Sequence, residues 1–265
     1  MYNHRHWETK LAVSRIIQAA SRESLVYAEK GPTMKTLFSF LLSIAVCGVA
    51  PAAEQGKEVE RLQNAAEVID EIMKTPEKGI PRDLLNKSVC VGVIPSQKKL
   101  ALGLGGSYGR GCLICRRGGT GRWGAPWMFA IGGASAGFQI GGQETDFVLL
   151  VLNGSGAQKL VKGKTKLGAD ASVAGGPVGR TAEGSTGALM QTEILSYSRS
   201  RGAFAGVSLE GQVIKDDDTA NEHLYGKKIE AKDILFAHTA VPKAGEALAA
   251  TLTKYSPHGG EPFEK

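Results

Sequence analysis

Apolar residues recur along this chain with two different periods. Between residues 57 and 74 (KEVERLQNAAEVIDEIMK), Val59, Leu62, Ala66, Ile69 and Met73 fall at three- and four-residue steps with charges between them. That spacing lines one face of a helix, and it predicts an amphipathic helix ended by Thr75-Pro76. The polar face is acid-rich, whereas a helix lying on a membrane carries more Lys and Arg, so packing on its own domain suits it better. From residue 88 the period shortens. SVCVGVIP (88–95), KKLALGLGGSYGRGCLICRR (98–117) and WMFAIGGASAGFQIGG (127–142) read as strands, and TDFVLLVLN (145–153), apolar on both faces, reads as a central one.

The rest alternates short elements. Asp83-Leu84-Leu85 makes one helical turn, and residues 154–163 form a short helix capped by serine and closed by Gly163. KLGADASVAGGPVGR (166–180), ALMQTEILSYSRS (188–200) and GAFAGVSLEGQVI (202–214) are further strands around Gly-rich turns. DDDTANEHLYG (216–226) reads as a capped helical turn. AKDILFA (231–237) then leads into VPKAGEALAATLTKY (241–255), where Pro242 opens a terminal helix. The fold class expected is α+β: a single domain with a strongly curved antiparallel β-sheet or barrel-like core of some seven strands, an N-terminal amphipathic helix and a C-terminal helix.

One stretch departs from ordinary strand composition. On an extended backbone Ala134, Ala136, Phe138 and Ile140 share one face, and Gly133, Ser135, Gly137, Gln139 and Gly141 the other. A stripe of Gly and Ser lets another backbone or the N-terminal helix lie very close, or lets a sheet bend sharply toward closure. Gly133, Gly137, Gly141, Gly176, Pro177 and Gly179 are therefore read as structural, and as a ligand-facing groove only second.

The first half-hundred residues do not read like a domain. From Met34 the chain runs MKTLFSFLLSIAVCGVAPAAEQ: a lysine, an apolar run from Leu37 to Ala50, and Ala50-Pro51-Ala52 before a polar stretch. This is the layout of a secretory signal peptide, too short for a stable membrane span. The boundaries expected are an upstream extension or disordered leader at 1–33, a signal peptide at 34–52, the start of the helix at 53–63, the main domain at 64–255 and a disordered tail at 256–265. A periplasmic or secreted location follows. Lipoprotein anchoring at Cys47 is disfavoured, because no small residue precedes that cysteine.

Charge and cysteines narrow the function. Residues 1–52 hold six Lys/Arg and three Asp/Glu, leaving 26 basic and 23 acidic side chains, a net of +3 that argues against bulk nucleic-acid binding. In an exported protein Cys112 with Cys115, or Cys90 with either, is able to form a disulfide and leave one thiol over; half-buried strand cysteines are the blander reading. No histidine lies near the pair for a zinc site, and GCLICRR reads as strand, not as the strand-to-helix junction a redox CxxC needs.

Catalytic motifs are missing. There is no GxxxxGK[ST], and Gly103-x-Gly105 lacks the third glycine of a dinucleotide fingerprint, Tyr108 standing in its place. Neither GxSxG nor HExxH occurs, and beyond residue 52 the only histidines are His223, His238 and His258. No cofactor or metal is expected. Asp216, Asp217 and Asp218, with Asn221, lack the spaced ligands of a calcium loop and read as a helix-capping acid run. The basic segments are more informative. Lys159, Lys162, Lys164 and Lys166, and Arg110, Arg116, Arg117 and Arg122 beside Trp123 and Trp127, are candidates for meeting anionic headgroups, with the indoles at the interface.

Several strings in order resemble one family. GGSYGRG (105–111), WGAPWMFAIGGASAGFQIGGQETDFVLLVLN (123–153), KLGADASVAGGPVGR (166–180), SYSRSRGAFAGVSLEGQVI (196–214), NEHLYG (221–226) and AKDILF (231–236) look like the successive blocks of the SYLF domain, and the resemblance runs from about Asn64 to Tyr255. SYLF domains occur in eukaryotic actin-patch and endosomal adaptors and in secreted bacterial proteins. The resemblance implies a non-enzymatic lipid-binding module. In eukaryotic members it implies phosphoinositide and actin-filament binding, with an amphipathic helix, here residues 57–74, and basic residues at the membrane. Together with the signal peptide, the expectation is an envelope protein whose partners are membrane phospholipids of the anionic kind. The alternative is a structural protein that binds another envelope protein through a sheet edge or its cysteines.

Overall fold

A computed structural model of the chain describes residues 52–75, 79–178, 192–200 and 203–263, and within them the side chains of all but 52–55, 100–104 and 135–143. The expected signal peptide, the segment before it, Cys47 and Gly179 lie outside the described residues. The 3.6-residue period does form a helix, α1 (Ala52–Met73). Leu62, Ala66, Ile69 and Met73 are buried as the spacing demands, Ala65, Val68 and Ile72 join them, and Val59 is only half-buried. A short helix α2 (Arg82–Lys87) follows, burying Leu84 and Leu85.

The next two elements are far longer than the sequence pattern marks. β1 (Cys90–Arg116) and β2 (Trp123–Val151) form one antiparallel hairpin, paired from Cys90↔Val151 to Arg116↔Trp123. On its other edge β2 takes β7 (Val213–Asp216) against residues 129–132 and β5 (Ile194–Ser200) against residues 146–151. β3 (Lys164–Lys166) extends the sheet beyond β7, while β4 (Val173–Gly175) and β6 (Ala203–Gly206) line β5. The seven strands of the described residues belong to one curled sheet. Its pairings are antiparallel, as expected, except that β4 runs parallel to β5 at one edge.

The hairpin is folded over on itself. The Arg116 amide donates to the Val89 carbonyl at 2.8 Å, and a disulfide joins Cys90 to Cys115, so the two ends of β1 lie side by side. Glycine makes this approach feasible: a Cβ at Gly111 would stand 2.6 Å from the Val93 carbonyl oxygen. Gly133, where that stripe begins, faces the turn before β7, with the Gln212 Cα only 3.3 Å from where a Cβ would sit. The helix α1 packs on the opposite sheet face, among Val91, Val93, Cys112 and Met128, so it is not the partner of Gly133. At Gly176 a Cβ would collide with the Tyr197 ring.

Alternate residues of the strands feed two cores. Val148 and Leu150 join Val91, Val93, Cys112, Ile114 and Met128 beneath α1 and the terminal helix α6 (Glu246–Tyr255). Leu149 and Val151 join Trp127, Phe129 and Ile131 beneath α3 (Gly154–Leu160) and α5 (Ala231–Phe236). Between them α4 (Asp218–Tyr225) closes one end, with Asp217 at its N-terminus accepting from the Ala220 amide. The cap of α3 is Asn153, whose side chain accepts from the Gly156 amide; the serine expected there, Ser155, turns to Glu193 instead. The C-terminal residues also differ from expectation. Residues 256–263 are held: Gly260 donates to the Asn86 carbonyl, Phe263 to that of Gly118, and the Phe263 ring meets Phe236 edge-on at 5.1 Å.

Candidate functional site: a basic sheet face

Period-two alternation decides which lysines face water. In β3 Thr165 is buried, and Lys164 and Lys166 on either side are exposed. The ladder register places Lys164 opposite Lys215, Lys215 opposite Ala130 and Ala130 opposite Arg110. The neighbouring row runs Lys166, Val213, Gly132, Tyr108. Directly opposed residues of an antiparallel pair point to the same side. The two rows therefore form one face about 14 Å across four strands. Ala134 and Gly106, exposed and opposite each other, continue it. The floor between the lysines and Tyr108 is Ala130, Gly132 and the half-buried Val213. Tyr108 stands out from it, 53 % exposed and the exposed large hydrophobic among the described residues.

Among the described residues no ion pair is formed by Lys164, Lys166 or Lys215. Lys162, also exposed, follows α3 just before β3. Arg110 differs, because its Nη2 lies 2.8 Å from Asp217 Oδ1. Asp217 also holds Arg61 of α1 at 3.6 Å, too long for a hydrogen bond. Burial, then the nearby Arg110 charge, pulls the Arg61 guanidinium below its ordinary value. Among the described residues Glu58 Oε2, Arg61 Nη1, Arg110 Nε and Asp217 Oδ2 have no hydrogen-bond partner, so this crossing of α1, β1 and α4 is charged and incompletely satisfied there.

Other candidate residues are withdrawn from the surface. Arg116 is fully buried, stacks on Trp123 at 4.1 Å and donates to Ser88, Ser256 and His258. Desolvation pushes its guanidinium down to about 10. Trp123 donates to the Ser256 carbonyl and the buried Trp127 to Asp216 Oδ1 at 2.7 Å, so neither indole reaches an interface. A cation clamping the tail and two core indoles are structural parts, and their proposed headgroup contact is corrected. Lys159 is spent on Glu193, at 2.7 and 2.9 Å. Arg117 donates to the Thr239 carbonyl, and Arg122 is exposed on the hairpin turn, remote in sequence and register from the lysine rows.

The acid run is also accounted for. Asp216 receives Trp127, Asp217 holds two arginines, and Asn221 bonds both the amide and the carbonyl of Met128. Among the described residues no cluster of His, Cys, Asp or Glu is placed to hold a metal ion. Cys112 is a buried free thiol on the sheet face opposite the disulfide, and desolvation raises it to about 12. A cavity of about 460 Å³ lies between α1, α4 and the turn at 243–245, lined by Val59, Leu224, Pro242 and Ala244 with Glu58 and Lys243.

The sequence marked Lys164, Lys166 and Arg110 but missed Lys215 and Tyr108. Lys215 closes the alternating run Val213-Ile214-Lys215, which puts it on the side away from the buried Ile214. Tyr108 stands in the GGSYGRG block and breaks a nucleotide fingerprint, but nothing in those strings marks it as exposed.

Known proteins place this architecture. The profile of the Ysc84 family, described as Las17-binding protein actin regulator, matches residues 132–255. An SH3 domain-containing protein of Schizosaccharomyces pombe is 36 % identical over 191 residues, covering 71 % of this chain and 41 % of its own. The human SH3 domain-containing YSC84-like protein 1 is 33 % identical over 184 residues, 68 % of this chain and 53 % of its own. The Saccharomyces cerevisiae LAS seventeen-binding protein 3 is 36 % identical over 189 residues, 68 % of this chain and 40 % of its own. The chain thus spans about half the length, or less, of the curated relatives it matches. With the ordered SYLF blocks of its sequence, the profile match and these relatives, the chain belongs to the Ysc84 (SYLF) family.

Proposed function

We propose that this SYLF interaction domain binds anionic phospholipid headgroups through the face built by β3, β7, β2 and β1. The observation that carries the reading is the arrangement of Lys164, Lys166 and Lys215: three exposed ammonium groups on adjacent strands of one face, without ion partners among the described residues. Near an anionic surface each such charge contributes about 1 kcal/mol, falling off within a Debye length. The signal-peptide pattern at 34–52 assigns that membrane to the cell envelope in this reading. Co-sedimentation with phosphatidylcholine vesicles should rise as phosphatidylglycerol is added and fall as salt is added. Changing Lys164, Lys166 and Lys215 together to Gln should abolish most of it. Binding indifferent to both lipid charge and salt would reject the proposal.

A second reading comes from the family description, which speaks of actin regulation. It assigns the domain a protein partner instead. Capture of a partner that persists in vesicle-dissolving detergent, or co-sedimentation with actin filaments, favours this reading over the lipid one.

A further inference from the structure

We propose that Tyr108 is the residue that anchors this face in a bilayer interface, so that the partner is an anionic lipid surface and not a free phosphorylated anion; this rests on the headgroup reading above. Lysines alone do not separate the two sources, because either supplies phosphate. The position of Tyr108 does. Its ring is exposed, and it rises from a floor in which its cross-strand partner is Gly132 and the next pair is Ala134 and Gly106. Among the described residues its neighbours on that floor are small, apart from Arg110 two residues along the strand, which is turned toward Asp217. In the same row, three strands away, stands Lys166, and the adjoining row carries Lys164 and Lys215. An apolar ring with a polar hydroxyl at its tip suits the boundary between headgroups and acyl chains, and flanking ammonium groups suit the phosphate layer just outside it. A soluble anion would need only the cations; an exposed aromatic ring beside them adds a contact that only an interface with an apolar side can use.

The geometry also fixes which way the face lies. Arg110, in the lysine row next to Tyr108, is drawn toward Asp217 and α1, so the free charge sits at the β3 edge and the ring at the β1 side. Ala130 is buried and α1 packs on this same face beside Arg110, so the domain would rest on Lys164, Lys166, Lys215 and Tyr108, with α1 standing at the margin.

The test uses the whole chain with vesicles of phosphatidylcholine and phosphatidylglycerol. Tyr108→Ala should weaken binding about tenfold, whereas Tyr108→Phe should stay within about twofold. In Tyr108→Trp the new indole should shift to the blue and be quenched by vesicles brominated on their acyl chains, beyond whatever the wild type shows from Trp7 and the buried Trp123 and Trp127 under the same conditions. Free glycerol phosphate should not displace the protein at concentrations equal to the vesicle phosphate. If the wild type binds anionic vesicles but Tyr108→Ala binds equally and the new indole is not quenched, the anchor is refuted and the headgroup reading stands. Displacement by free glycerol phosphate refutes the bilayer as source. If the wild type ignores anionic vesicles, both fall.

Discussion

Asp217 is the point at which the N-terminal helix is fastened to the sheet, and its replacement has a calculable cost. The carboxylate is 5 % exposed and is shared by Arg61, 11 % exposed, and Arg110, 38 % exposed. Asp217→Asn preserves shape and helix-capping ability but removes the charge, leaving two guanidinium groups facing one another. Breaking a buried pair by removing one partner costs about 3–5 kcal/mol. Half-exposed Arg110 is screened by water and adds little to that figure. Because Arg61 is already imperfectly bonded, the lower end applies, about 3 kcal/mol. Asp217→Ala also loses the cap at α4 and should cost about 1 kcal/mol more. The assay is urea unfolding followed by far-UV circular dichroism, with an unchanged slope and a lowered midpoint. In heating experiments the loss should appear as roughly 2–4 °C per kcal/mol. Adding Arg61→Met to Asp217→Asn should restore part of the loss, since the charge left behind is then gone. A stability of Asp217→Asn within about 0.5 kcal/mol of wild type would refute the reasoning, because that is the range of surface substitutions.

Three further outcomes follow from the same structure. Reducing the Cys90–Cys115 bond, which closes a loop with a sequence separation of 25, should lower stability by about 3.5 kcal/mol on the chain-entropy account, and unfolding with and without reductant measures it. Gly176→Ala should cost more than 2 kcal/mol, because its Cβ would lie 2.1 Å from the ring of fully buried Tyr197; Gly56→Ala, with nothing within 4 Å in the helix α1, should stabilise by about 0.5–1 kcal/mol. Although burial opposes ionisation of Glu193, hydrogen bonds from Lys159, Ser155 and Ser172 hold its carboxyl below the ordinary value. Its contribution is therefore complete above the unfolded carboxylate pKa and is lost as pH falls through the lower folded one. Glu193→Gln should flatten that part of an acid-unfolding curve, and an unchanged curve would contradict the assignment.

How far the chain could be read in advance varied with the physics of each feature. α1 was legible because burying one side of a helix forces apolar residues to three- and four-residue spacing, as at Leu62, Ile69 and Met73. The central strand was legible because Phe147 to Val151 is apolar at every position, and both faces are covered. Long-range closure was not. The pairing of Cys90 with Cys115 follows from β1 doubling back, an event set by Gly109 and Gly111 meeting Ile94 and Val93, and no local pattern encodes which distant residues glycine will admit. A strand was expected within 166–180, but the parallel pairing of β4 with β5 escaped for the same reason, since three residues do not encode which neighbour they take.

The candidate site divides along the same line. Sequence alone determined that cations cluster in the segments 110–122 and 159–166. It also determined the family blocks. Tertiary structure alone decided which cations are free: Arg116 is buried against Trp123 and Ser256, Lys159 is bound to Glu193, and Arg110 leans on Asp217. Register, not composition, then brought Lys215 beside Lys164 and set Tyr108 in the row of Lys166. Local patterns record which way a side chain points from its own strand. Which neighbours it meets, and whether a charge stays in water or finds a partner, depend on contacts between residues far apart in the chain, and only the folded sheet fixes those.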